Sequence, residues 1–131
     1  MKDIKDLKEK YPKILKDWGC DPRTSCMAFG IEVNSGWYDL LDNLMHDLQW
    51  NTDKNGYPQV IAEQIKEKYG TLRFYYTYEA KNVDPRHDGV IEGMIDFAET
   101  MSGKICEQCG DKGETKNKYG WWSTVCSKCD K

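Results

Sequence analysis

Cys106-Glu107-Gln108-Cys109 and Cys126-Ser127-Lys128-Cys129 are two C-x-x-C pairs separated by sixteen residues. This spacing is that of a four-cysteine zinc ribbon. Each pair turns tightly enough to aim two thiolates at one point. Two pairs then complete the tetrahedral sulfur shell that Zn2+ prefers. Gly110 follows the first pair and suits the left-handed backbone that such turns use. Between the pairs, Glu114–Lys118 and Trp121–Val125 read as short strands flanking Tyr119-Gly120. All four positions are cysteine, so no coordination position is left for water. One structural zinc without chemistry of its own is the expectation.

Two disulfides or a redox C-x-x-C are the competing interpretations. Met1-Lys2-Asp3-Ile4-Lys5 has no apolar run and no cleavage site, which gives no address to an oxidising compartment. A redox pair would be single and would sit at a strand-to-helix junction. No stretch is long and apolar enough for a membrane span, so no membrane partner is expected.

The chain has 131 residues, one domain's worth, with a formal net charge of -3. Two parts are expected within it: an α+β core at 1–103 with an N-terminal helical segment, and the ribbon at 104–131. The ribbon is too short to bury a core unaided, and the metal makes up that deficit. Residues 1–103 carry 13 Lys/Arg against 18 Asp/Glu, and residues 104–131 carry 6 against 4. Four thiolates around one divalent ion bring the ribbon to about neutral. Non-specific DNA binding rests on neutralising phosphates, and this balance argues against it.

Ahead of the ribbon, Ile4, Leu7, Tyr11, Ile14, Leu15 and Trp18 recur at helical spacing behind Asp3 as cap, with Pro12 breaking the run. The intervening lysines read as a solvated face. Cys20 and Cys26 read as free thiols, Cys26 buried; a second metal site with His46 is the minor alternative. Met27–Val33 alternates as a strand with one buried face. Ser35 then caps a helix over 37–50 with a Trp37, Leu40, Leu41, Leu44, Met45, Leu48 stripe. Asn51–Pro58 reads as a turn region. Gln59–Tyr69 and Leu72–Tyr78 read as an antiparallel hairpin. Asp88 caps a helix over 89–102, and Gly103 ends it. His46-Asp47 and His87-Asp88 are read as surface and capping pairs, not as catalytic ones. The expected fold is therefore α+β: a small antiparallel sheet with packed helices and a C-terminal zinc ribbon.

Within the hairpin, an even loop at Tyr69-Gly70 pairs Glu67 with Leu72, Ile65 with Phe74, Glu63 with Tyr76 and Ile61 with Tyr78. The other face pairs Lys68 with Thr71, Lys66 with Arg73, Gln64 with Tyr75 and Ala62 with Thr77. An odd loop would oppose Ile65 to Arg73. The even register sets Lys66 against Arg73, an unfavourable like-charge pair, next to Tyr75 and Gln64. Two cations beside an exposed aromatic ring suit a ligand with a phosphate and a base. The plainer interpretation is that Glu63, Glu67 or a neighbouring element neutralises the pair. Trp121 and Trp122 are interface candidates; alternation turns one ring inward, unless both cover the ribbon's core.

Gly36-Trp37-Tyr38-Asp39-Leu40-Leu41-Asp42, the run Gln59-Val60 through Lys66-Glu67-Lys68-Tyr69-Gly70-Thr71-Leu72-Arg73-Phe74-Tyr75, Phe97-Ala98-Glu99, Cys106-Glu107-Gln108-Cys109-Gly110 and Gly120-Trp121-Trp122 occur in one order. In these motifs the chain resembles a group of small bacteriophage- and prophage-encoded proteins, over about residues 30–129. The resemblance implies a phage accessory protein in the bacterial cytoplasm and implies no reaction.

Three classes of function follow. The first is a non-enzymatic protein that counters host defence by sequestering a small anionic, nucleotide-type ligand or by binding a host defence protein. The second is a nucleic-acid-binding ribbon using Lys112, Lys116, Lys118 and Lys128. The third is an enzyme, for which no P-loop, nucleophile elbow or open metal site is present in the sequence. Oligomeric state is left open, a homo-oligomer included.

Overall fold

A computed structural model describes residues 2–130. The outermost sequence-based boundaries, 1 and 131, lie outside that range. Among the described residues, two β-sheets and three helices form an α+β fold. The first sheet has the order β1-β2-β3, with β1 at Ile31–Glu32, β2 at Val60–Lys68 and β3 at Thr71–Tyr78. The second pairs β4, Glu114–Lys118, with β5, Trp121–Val125. The helices are α1, Leu7–Lys10, α2, Tyr38–Asn55, and α3, Pro85–Ser102.

The N-terminal segment follows its apolar spacing. A 3-10 turn at Ile4–Asp6, capped by the Asp3 side chain, runs into α1. The helix stops at Tyr11 (φ -129°, ψ 62°), because the residue before a proline is pushed out of the helical region. Ile4, Leu7, Tyr11, Ile14 and Leu15 join the main core. The Tyr11 hydroxyl donates to Asp42 Oδ1 at 2.5 Å, and Lys10 pairs with the same carboxylate at 2.9 Å. The segment is therefore part of the body of the fold.

The expected strand over Met27–Val33 is corrected. Cys26–Phe29 is a 3-10 turn, capped by Ser25, and only Ile31–Glu32 is extended. Gly30 has φ +78°, and a Cβ there would sit 2.5 Å from the Trp18 ring. The tryptophan thus demands a glycine, and the glycine ends the turn. Phe29 is exposed, against the alternation, and Cys26 is exposed as well. The short strand also runs parallel to β2, pairing Ile31 with Ile65 and Glu32 with Lys66. A helix lies between β1 and β2 in the chain. Such a crossover returns the chain in the same direction, whereas a tight hairpin would reverse it.

Three helix limits also move. α2 is preceded by a 3-10 turn at Ser35–Trp37 and runs on to Asn55, where Gly56 closes it in the left-handed conformation. α3 begins earlier than expected. Asp84 caps it by accepting from Arg86 N, and Pro85 occupies the first turn. Asp88 instead accepts a 2.5 Å hydrogen bond from the Tyr78 hydroxyl. Gly103 is the C-cap, in a right-handed conformation.

The β2–β3 hairpin turns at Tyr69 (φ 54°) and Gly70 (φ 86°). Both residues have positive φ, which matches the twist of the flanking strands in a two-residue turn. The even register holds from Lys68–Thr71 to Gln64–Tyr75. Beyond it, a bulge at Glu63 corrects the rest: Ala62 pairs with Tyr76, Ile61 with Thr77 and Val60 with Tyr78. The bulge adds one residue to β2. Ala62 N also donates to Ile14 O at 2.9 Å, which ties the N-terminal segment to the strand just beyond the irregularity. α3 closes the free edge of β3. Ser102 Oγ and Glu99 Oε2 each accept from an edge amide, Leu72 N and Phe74 N, both at 2.8 Å.

Gly93 lies inside α3, where a Cβ would meet nothing within 4 Å. Gly93→Ala should therefore raise stability by about 0.5–1 kcal/mol, from reduced freedom of the unfolded chain. A higher urea midpoint at unchanged slope is the expected result.

Candidate functional site

The four cysteines of the sequence motif converge. Their sulfur atoms all lie within 4.8 Å of one another, and Cys109 and Cys126 are 3.6 Å apart. A tetrahedral Zn–S shell at about 2.3 Å places sulfurs about 3.8 Å apart. Backbone turns shape each pair. Gly110 N donates to Cys106 O at 2.9 Å with φ +85° at the glycine, and Asp130 N donates to Cys126 O at 3.0 Å. Cys106 and Cys126 are buried, and Cys109 and Cys129 are half-buried. The donor set can hold a metal ion. Among the described residues this is the one group of converging ligand side chains.

The electrostatics of the bare thiols are in conflict. Burial pushes Cys106 up, but the amides of Cys126, Cys109 and Gln108 outweigh it and bring the thiol to about 7. The Cys129 amide heads the groups that lower Cys126. Cys129 is pushed up to about 12, first by the adjacent Cys126 thiol and then by desolvation. Four neighbouring sulfurs cannot all carry charge without a cation. A divalent ion removes the conflict, because a coordinating thiol is deprotonated outright.

The ribbon is locked to the body through backbone contacts. Gly36 N donates to Glu107 O at 2.8 Å, and the buried Trp37 indole donates to Ile105 O at 2.8 Å. Asn34 N donates to Glu107 Oε2 at 3.1 Å, and Thr124 Oγ1 donates to Gly70 O at 2.6 Å. Glu107 is buried, and desolvation raises its pKa. Gly36-Trp37 and Gly70 are thus the points at which the body meets the ribbon.

Lys66 and Arg73 face each other as the register requires. Neither side chain forms an ion pair or hydrogen bond among the described residues, and Arg73 Nε is buried without a partner. Glu67, one candidate neutraliser, accepts from Gly70 N at 2.6 Å instead. Glu32 lies beside Lys66 on β1. Tyr75 is 45% exposed. Gln64 and Tyr75 line an open cleft of about 440 Å³ with Arg23, Ser25 and Cys26, which Lys66 and Arg73 do not line. The four residues therefore share one face but not one pocket. Arg23 was invisible to strand-register reasoning, because the loop that carries it folds over the hairpin from far away in sequence.

Trp121 and Trp122 are 74% and 42% exposed. Neither ring is turned into the ribbon, contrary to both expectations. The ribbon's interior is filled by Thr124, fully buried and hydrogen bonded to Thr115 at 2.6 Å, together with the cysteines. His46 and His87 sit against aromatic rings, His46 by Trp50 and His87 stacked on Tyr57 at 4.1 Å between centroids.

Set against protein-family models, curated proteins and solved structures, the chain gives no match. Among the described residues, no helix is long and apolar enough to cross a membrane.

Proposed function

We propose that this chain is a zinc-stabilised binding protein without catalytic activity, which holds a nucleotide-type anionic ligand on the outer face of the β2–β3 hairpin. Zinc is the metal that an all-cysteine tetrahedral shell suits best, and a closed shell gives it a structural role. The observation that carries the ligand assignment is the unpartnered Arg73 beside an unpartnered Lys66. A buried donor without an acceptor and a like-charge cross-strand pair both cost stability. A phosphate over the pair offsets the like-charge cost. Tyr75, exposed one pleat along, offers a ring for base stacking, and Gln64 opposite it offers an amide.

The biological setting rests on the resemblance to phage-encoded proteins: an accessory protein in the bacterial cytoplasm that removes a signal nucleotide from host defence. Direct binding of a host defence protein is the second reading, favoured by the two exposed indoles. The nucleic-acid alternative weakens, because Lys116 and Lys118 both pair with Asp130.

Nucleotides co-purifying from cell extract identify the ligand by mass spectrometry, and calorimetric titration then measures it. Arg73→Ala should weaken binding by about 2 kcal/mol, the scale of a lost charge-assisted contact. Stability should stay level or rise slightly as repulsion is relieved. Arg73→Lys should restore only part of the affinity, since the planar fork is lost. If Arg73→Ala unfolds the protein, arginine is a structural partner and the ligand lies elsewhere.

A further inference from the structure

A second surface has the opposite electrostatic character. A cleft of about 490 Å³ lies between the end of β1, the hairpin tip and the ribbon. Its walls include Glu32, Glu67, Glu107, Trp121 and Trp122. The two indoles also border a smaller hollow with Glu67 and Tyr69. Glu32 is exposed and forms no ion pair among the described residues, Lys66 beside it included. Glu107 is 9% exposed, and its Oε2 accepts from Asn34. Its Oε1 has no hydrogen-bond partner among the described residues, although the side chain lines the cleft. Two ribbon lysines, Lys116 and Lys118, are paired with Asp130. Three carboxylates and two indole faces thus meet in one hollow whose lining includes no lysine or arginine.

We propose that this cleft takes an arginine side chain from a basic partner peptide. A guanidinium is planar, stacks on an indole and offers a fork of donors to carboxylates. A lysine ammonium satisfies the charge but stacks less well. A phosphate-bearing partner is repelled by the same carboxylates. The whole chain has a net charge of -3, which also draws a basic partner toward it. Exposed tryptophans such as Trp121 and Trp122 are typical of the anchors on which protein interfaces concentrate their affinity. This site borders the anion-binding face where Glu32 stands beside Lys66, but neither Lys66 nor Arg73 lines it.

The test uses the full zinc-loaded chain and a capped peptide of arginines spaced by glycines. The control peptide carries uncharged citrulline in place of arginine. Saturable binding is expected, with a change in tryptophan fluorescence, and the citrulline peptide should bind at least tenfold more weakly. Glu32→Gln and Trp121→Ala should each weaken the arginine peptide at least fivefold. Both side chains are exposed, so neither change should disturb the fold. Arg73→Ala should leave peptide affinity unchanged, which separates this outcome from that of the nucleotide titration. Equal binding of the two peptides overturns the proposal. So does an unaltered affinity in both variants, an absence of saturable binding, or a preference for a single-stranded oligonucleotide that Trp121→Ala abolishes.

Discussion

Cys109→Ser should cost the protein its metal and, with it, the ordered ribbon. Structural zinc sites of this type contribute on the order of 10–16 kcal/mol of apparent binding energy at neutral pH. The ribbon has no hydrophobic core to replace that contribution: its interior is Thr124 and the cysteines. Serine keeps the volume but not the soft thiolate, so the shell falls to three sulfurs. The consequences reach the body of the fold. The Trp37 indole loses its acceptor at Ile105 O, and Gly36 N loses Glu107 O. A buried indole N–H left without a partner costs about 1–3 kcal/mol. Metal analysis should give one zinc per chain for the parent protein and markedly less for the variant. Amide exchange should show lost protection over β4 and β5 and partial loss at the N-terminus of α2. A chelator added to the parent protein should produce the same pattern. A parent protein purified under reducing conditions without zinc would remove the basis of this expectation.

Much of this fold could be read from residues with short-range meaning. The cysteine spacing located the four-sulfur cluster because ligand geometry is local to each pair, and the two pairs converge to within 4.8 Å. The hairpin register followed from the even loop at Tyr69-Gly70, which a turn of two positive-φ residues enforces. Its like-charge pair was visible for the same reason. What stayed hidden was decided at long range. The alternation from Met27 to Val33 imitated a strand, but Trp18 packing against Gly30 turned the chain there instead. The bulge at Glu63 follows no composition signal. The exposure of Trp121 and Trp122 contradicted the intuition that a small unit buries its largest rings. A unit built around four cysteines has little apolar interior to offer them. The acidic cleft was equally unreadable, since Glu32, Glu67 and Glu107 come from three distant stretches of chain. Gly36-Trp37 was legible as a motif, while its purpose required the ribbon contact.

That contact makes Gly36→Ala the most damaging small substitution outside the cysteines. A Cβ at position 36 would lie 2.2 Å from Cys106 O and 2.4 Å from Glu107 C and O. All three are backbone atoms, so no side chain can swing away to make room. They also belong to the first cysteine turn, which a bound ion would hold rigid. On the opposite side, Gly110 packs on Gly36 O, where its own Cβ would sit at 3.2 Å. The ribbon must therefore shift as a unit or separate from α2. Either movement breaks the Gly36 N–Glu107 O hydrogen bond and withdraws Ile105 O from the Trp37 indole. The expected destabilisation is about 3 kcal/mol, the upper end of ordinary overpacking, because the collision is backbone against backbone. The metal content should stay at one per chain, since none of the four sulfurs is touched. Urea unfolding of Gly36→Ala beside Gly93→Ala measures the difference directly: the same methyl group should destabilise at one position and stabilise at the other. Equal midpoints for the two variants would mean that the ribbon rests loosely on the body, and that Gly36-Trp37 does not hold it there.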